Sequence, residues 1–298
     1  MTDTMTSTAT RAICRVPLVG CLQKAVEYKS LNGNWIPKND EQRDFLRHVE
    51  ATSELSAFNK EEFDSIASEV AEEINKWLSD NGFTLKCPEI QPGQFATASF
   101  VKMFVKWLEE GDKTLIRVDD TQYPAVSFKE EIGKNIHHMG ANWGVTCLST
   151  KEDNTKVYCA MRTDADADFN ALSEEQLLDV ASALEFIYPS SSKSYEGVRV
   201  PMIDLDVEVN QVWLRGIQNE EWFVAECLQQ FILKLNEKGA TAKSAAVMVL
   251  CRSAMMSHTP VLTFDKPFLL WFSRDGLTYP AFLAVCGTDC WQEPANLD

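Results

Sequence analysis

The stretch with the most distinctive chemistry is Asn236-Glu237-Lys238-Gly239-Ala240-Thr241-Ala242-Lys243-Ser244-Ala245-Ala246, in which a glycine leads a run of small side chains. Such a run packs little where it lies. In an extended chain, however, every second residue faces the same way, so Ala240, Ala242, Ser244 and Ala246 could slide between two strands without a clash. Lys243 falls on the opposite phase and could stay in water. Past this hinge the side chains enlarge through Val247, Met248, Val249 and Leu250, and Cys251-Arg252-Ser253-Ala254-Met255-Met256-Ser257 follows.

Other chemistry-bearing residues form weaker patterns. Nine cysteines (Cys14, Cys21, Cys87, Cys147, Cys159, Cys227, Cys251, Cys286 and Cys290) are an odd number in apolar contexts with no CxxC pair, which fits a reduced compartment. Cys286 and Cys290 could be half of a zinc site, but no second pair with a nearby His completes it, so buried thiols are the expectation. His137 and His138 lie in a Gly-flanked stretch, read as a loop, with no Cys, Asp or Glu at a matching spacing, and are read as surface histidines. Asp164, Asp166 and Asp168 alternate with Ala as in a calcium loop, yet the Gly and terminal Glu of that motif are missing, leaving a solvated acidic turn. No nucleophile elbow, P-loop or dinucleotide fingerprint occurs, and no Cys, His and carboxylate arrangement supports a cysteine enzyme. Neither an enzyme nor a cofactor is expected.

At 298 residues, 45% hydrophobic and 24% charged, the chain has the composition of a globular protein. A net charge of -16 disfavours nucleic acid or an anionic membrane as the main partner, because both need clustered Lys and Arg. No apolar run is long enough to span a bilayer, and the Thr-rich start has neither a basic flank nor an apolar stretch, so the expectation is a soluble cytoplasmic protein without a secretion signal.

The elements around the hinge are read from periodicity. Residues 11–20 predict a strand, although Pro17 argues against it; residues 39–58, with Asp40 as N-cap, and residues 61–79 predict amphipathic helices, the second stopped by Asn81-Gly82. The apolar run within 95–107 fits a strand covered on both faces, and 123–128, 145–149 and 157–161 predict short strands. A helix over 173–186 opens with Ser173 and Gln176 in a capping-box pattern. Alternation from Val198 to Val209 predicts a strand, followed by a short helical piece over 210–217. Strands over 231–235, 261–264, 268–272 and 281–286 close the chain, with Arg274-Asp275-Gly276 marking a hairpin between the last two.

Taken with its flanks, the hinge resembles the reactive loop of the serpin superfamily, which enters from a strand through a Glu-, Gly-, Thr- and Ala-rich hinge and leaves before a Lys-Pro-Phe strand start. Here Phe231-Ile232-Leu233-Lys234-Leu235-Asn236-Glu237 is similar to the strand that carries the hinge Glu, and the exit reads Phe264-Asp265-Lys266-Pro267-Phe268. Leu269-Leu270-Trp271-Phe272 and Ala281-Phe282-Leu283 resemble the closing hairpin, whose final strand is altered to Val285-Cys286-Gly287. Upstream, Glu73-Ile74-Asn75-Lys76-Trp77-Leu78 is similar to the helix that crosses the main sheet, the segment from Phe104 to Trp107 to the central strand ending in Lys-Trp, and Leu214-Arg215-Gly216-Ile217 to the Leu-Gly-Ile turn.

The resemblance implies an α+β fold with a large mixed β-sheet, smaller sheets, packed helices and a long mobile reactive loop at about 237–260, in one domain over 11–298 behind a flexible tail of residues 1–10. It also implies that the first helices of the family are lacking, since so few residues precede the stretch matched to an early strand. The implied function is inhibition of a serine or cysteine protease as a suicide substrate; the alternative is a non-inhibitory interaction or structural protein needing a second chain over the face the helices leave. The implied hinge residues are Glu237, Gly239, Ala240, Ala242, Ser244, Ala245 and Ala246. For the bait bond, counting forward from the hinge lands near Arg252-Ser253-Ala254, whereas counting back from Lys266-Pro267-Phe268 lands at Met256-Ser257. Arg252 and Ser253, or Met255, Met256 and Ser257, are therefore both kept, with the distance to the following strand favouring the methionines.

Overall fold

The computed structural model describes residues 9–50, 52–129, 136–139, 142–152, 154–164, 168–186, 195, 197–240, 261–295 and 297. In chain order its elements begin with strand β1 (Arg11–Ile13), helices α1 (Val16–Lys29) and α2 (Asp40–Glu50), strand β2 (Phe63–Ser68), helix α3 (Ala71–Asp80) and strand β3 (Ala96–Val101). Strands β4 (Val105–Lys106), β5 (Asp112–Val118), β6 (Thr121–Lys129), β7 (Ile136–Met139), β8 (Trp143–Leu148) and β9 (Thr155–Arg162) lead to helix α4 (Glu174–Phe186). Strands β10 (Gly197–Pro201), β11 (Ile203–Asn210), β12 (Gln218–Asn219), β13 (Trp222–Phe223), β14 (Leu228–Leu235), β15 (Gly239–Ala240), β16 (Leu262–Thr263), β17 (Phe268–Arg274) and β18 (Phe282–Cys286) complete the α+β chain. It divides into two compact units.

The unit made of residues 1–13, 104–205 and 233–298 holds a six-stranded sheet in the order β1-β18-β17-β9-β8-β7 and a four-stranded sheet in the order β16-β10-β6-β5. Helix α4 lays Leu177, Leu178, Ala181 and Leu184 on the first sheet against Val145, Leu269, Trp271 and Leu283. Its start follows the sequence: Gln176 N donates to Ser173 Oγ at 3.2 Å, and Ser173 N donates to Gln176 Oε1 at 2.9 Å, so each side chain satisfies an orphan amide. His137 and His138 differ from their reading as loop residues, because the backbone of β7 pairs with β8 there. Such a pairing has no local signature in a Gly-flanked stretch.

The unit made of residues 14–103 and 206–232 departs most from the sequence reading. Residues 11–20 form a three-residue strand and then enter α1, where Pro17 sits in the first turn and costs no hydrogen bond. Leu18, Leu22 and Ala25 are buried at helical spacing, and a Cβ on Gly20 would lie 2.4 Å from Ser99 Oγ, so the glycine that argues against a helix locally is required by close approach to β3. Residues 61–79 are not one helix either. Phe63–Ser68 pairs as β2 with β3, Phe63 opposite Val101, and only Ala71–Asp80 is helical. The three- and four-residue steps from Phe63 through Ile66 to Val70 read as helical, but pairing with a strand about thirty residues away, Ile66 opposite Ala98, overrode that local period. The stop at Asn81-Gly82 holds, with Gly82 at φ +83 and Phe83 N bonded to Leu78 O at 3.0 Å. Helix α2 ends at Glu50, before a tighter turn over Thr52–Ala57, and it is Asn39 rather than Asp40 whose Oδ1 takes the Gln42 amide, at 2.8 Å.

Candidate functional site

The hinge begins where β14 ends. Gln229, Phe231, Leu233 and Leu235 are buried in strict alternation along β14, so the strand has a fixed inner face. At its end Asn236 folds the chain back: its Oδ1 accepts Lys238 N at 2.9 Å, and its N–H donates to Gly239 O at 3.0 Å. Two residues of strand then return. β15 pairs antiparallel with β14 on one side, Ala240 opposite Leu235, and with β4 on the other, Gly239 opposite Lys106 and Ala240 opposite Val105. The sheet order is β11-β14-β15-β4.

Small side chains are required at this position. A Cβ on Gly239 would lie 2.4 Å from the Val105 carbonyl oxygen, a backbone atom that cannot rotate away, and Ala240 is fully buried. The glycine is therefore here for space.

Side chains from the flanking elements brace the turn. Trp107, buried and edge-on to Phe128 with centroids 5.7 Å apart, donates from Nε1 to Asn236 O at 2.8 Å and from its backbone N to Lys238 O at 3.2 Å. Gly111 N donates to Glu237 O at 2.8 Å. The Glu237 carboxylate lies 3.8 Å from Lys113 Nζ, and Lys113 also pairs with Glu293. Sequence reading used Trp107 only as a fold marker and missed Gly111, Lys113 and Glu293, which no local spacing connects to the hinge.

Of the hinge residues expected from sequence, Glu237, Gly239 and Ala240 come together as described; Ala242, Ser244, Ala245 and Ala246 lie outside the described residues. So do Arg252, Ser253, Met255, Met256 and Ser257. The exit is described: β16 pairs parallel with β10, Leu262 opposite Val198, and Phe264 is buried edge-on to Phe268 at 5.2 Å.

Among the described residues, the thiols are mostly packed away from water. Burial pushes the thiols of Cys14 and Cys227 up to about 12 and those of Cys21 and Cys147 up to about 11, away from the thiolate a nucleophile needs. Cys290 is the thiol moved downward, because a hydrogen bond from Cys286 favours its anion, but it is buried. Asp164, from the acidic turn, is held by the Arg162 guanidinium at 2.9 Å. Among the described residues no cluster of three or more His, Cys, Asp or Glu could hold a metal ion, and no helix is long and apolar enough to cross a membrane.

No protein-family model matches the chain, and no curated protein matches it in sequence. Among solved structures it is similar to thyroxine-binding globulin in complex with thyroxine, at 13% identity and a TM-score of 0.58, over 97% of this chain and 94% of that one. A structure of human thyroxine-binding globulin is similar at 12% identity and a TM-score of 0.56, with the same coverage. Thyroxine-binding globulin is a non-inhibitory protein of serpin fold, and at this identity the likeness shows fold alone: the chain has the serpin fold. Coverage this complete lends no support to the expectation that the first helices are lacking.

Proposed function

We propose that the chain is a serpin-type trap for a serine or cysteine protease. The observation that carries this reading is β15: the first two residues after the hinge turn already sit as a strand between β14 and β4. Extending that register, in which Ala240 lies opposite Leu235, would set Ala242 opposite Leu233, Ser244 opposite Phe231 and Ala246 opposite Gln229. Small residues would then meet the buried face of β14, and Lys243 and Ala245 would fall on the other face.

In this mechanism the protease's nucleophile attacks the bait carbonyl, the peptide bond breaks, and the new amino terminus leaves with the downstream segment. The acyl-enzyme ester or thioester stays on the upstream segment. Freed of its downstream tether, that segment extends the strand begun by Gly239 and Ala240, gaining ladder hydrogen bonds and apolar burial. The attached protease is carried away before water can hydrolyse the ester. The chemistry belongs to the protease, and this chain supplies bait and strand.

Incubation with a protease panel tests the reading: a covalent complex should survive denaturing electrophoresis. Ala242→Arg should abolish it and leave plain cleavage, because an unpaired charge on an inserting face costs several kcal/mol. An undiminished complex in that variant would rule out insertion. A second reading, a non-inhibitory serpin-fold protein whose surface binds a partner, is compatible with the fold shared with thyroxine-binding globulin and predicts cleavage with no complex from any protease.

A further inference from the structure

We propose that Tyr28, Phe95 and Trp222 form a cage for a small quaternary ammonium ligand of the choline class, which displaces the resident ammonium of Lys29. The site lies in the unit made of residues 14–103 and 206–232 and is independent of the trap reading. Lys29 is the last residue of α1, and its Nζ stands 4.9 Å from the centroid of the Tyr28 ring, 5.1 Å from that of Phe95 and 5.2 Å from that of Trp222. The rings brace one another: Phe95 lies 5.5 Å from Tyr28 and meets Trp222 edge-on at 4.9 Å. The Glu69 carboxylate completes the shell, 2.7 Å from the same nitrogen. Three rings and a carboxylate around one positive centre form the arrangement that binds alkylated ammonium ions.

Lys29 is a weak occupant of this cage. Its side chain is 23% exposed and that of Glu69 59% exposed, so water screens the ion pair, and the flexible lysine stem lets the ammonium swing out to solvent. A primary ammonium also gives up hydrogen bonds to water on entering a cage of rings, whereas a quaternary one has no N–H to lose. The surroundings favour a cation. The chain carries a net charge of -16, and Glu220 and Glu221 form the turn just before Trp222.

Asn219 sets the class of the ligand. It stands opposite Trp222 in the β12–β13 pair and is fully buried, and neither its Oδ1 nor its Nδ2 has a hydrogen-bond partner. Directly opposed residues of an antiparallel pair share one face with Cβ atoms about 5 Å apart, so this amide flanks the indole of the cage. A buried amide with donor and acceptor both unmet is costly, and a ligand hydroxyl beside the cation satisfies it, since one hydroxyl both donates and accepts. Choline carries such a hydroxyl close to its nitrogen. A trimethylated lysine has only methylenes there.

Proton NMR of the full chain with choline chloride tests the site. The choline N-methyl signal should move upfield in the ring currents of the cage, and the Lys29 εCH2 signal, upfield in the free protein, should return toward its ordinary position as the lysine leaves. Lys29→Ala should tighten choline binding about tenfold by removing the internal competitor, and Trp222→Ala should abolish it. Tetramethylammonium, which lacks the hydroxyl, should bind the wild type several-fold more weakly than choline, and Asn219→Ala should erase that preference. Failure of both the wild type and Lys29→Ala to bind choline would overturn the proposal, as would binding that survives Trp222→Ala. Should either variant lose its fold, the wild type decides alone: a Lys29 signal unmoved in excess choline overturns the cage. Equal affinity for choline and tetramethylammonium would remove Asn219 from the site, and tighter binding of an Nε-trimethyllysine peptide than of choline would overturn the choline-class assignment.

Discussion

The closing hairpin, β17 and β18, and the hinge hairpin, β14 and β15, are both antiparallel pairs, yet they are held in opposite ways. Along β17 and β18 nearly every side chain is buried, including Phe268, Leu269, Leu270, Trp271, Leu283, Ala284 and Val285. At roughly 25 cal/mol per Å2 of apolar surface, such a pair cannot open without global loss of structure. β15 buries a glycine and an alanine, and its turn is kept by hydrogen bonds and one clasped carboxylate. The hydrogen bonds among them exchange with water at little net cost. One hairpin is thus held by apolar burial and the other by polar contacts around a glycine and an alanine.

Three measurements sharpen or break this contrast. Trp271→Ala should have the largest effect, about 3–5 kcal/mol, since the indole is fully buried, stacks on Tyr158 with centroids 5.2 Å apart and donates to Glu185 at 2.7 Å. Urea unfolding should shift as a single global transition. Gly239→Ala comes next, at about 1–3 kcal/mol from overpacking against the Val105 carbonyl. Its signature should be local, with faster exchange at the Asn236 amide and an unmoved β17; an equally global loss would erase the distinction between the hairpins.

The smallest effect belongs to Glu185, whose carboxylate accepts from Trp271 Nε1 and, at 2.8 Å, from Ser273 Oγ. Burial raises its pKa above the ordinary value of 4.5, and these two hydrogen bonds offset only part of the shift. The folded state therefore holds the proton more tightly than the unfolded one. The associated stability is fully present below pH 4.5 and is lost as pH rises through the folded value. Glu185→Gln removes that dependence and should change stability by no more than about 1 kcal/mol at neutral pH. Melting the two proteins side by side from pH 4 to pH 8 checks it: the wild type should gain relative to the variant toward the acid end, and a constant difference would contradict the assignment.

The sequence by itself determined the features whose causes lie within a few residues. The Ser173 and Gln176 cap, the end of α3 at Gly82, the apolar strand over 231–235 and the small-residue composition after Gly239 are of this kind. Each follows from a local hydrogen bond, a backbone angle or a side-chain period. The tertiary structure decided where two periods competed or distant residues had to meet. Gly20 stays in a helix because β3 passes close, and Phe63 lies in a strand because Val101 pairs with it. Lys113, Glu237 and Glu293 meet at the hinge because the fold brings together residues far apart along the chain.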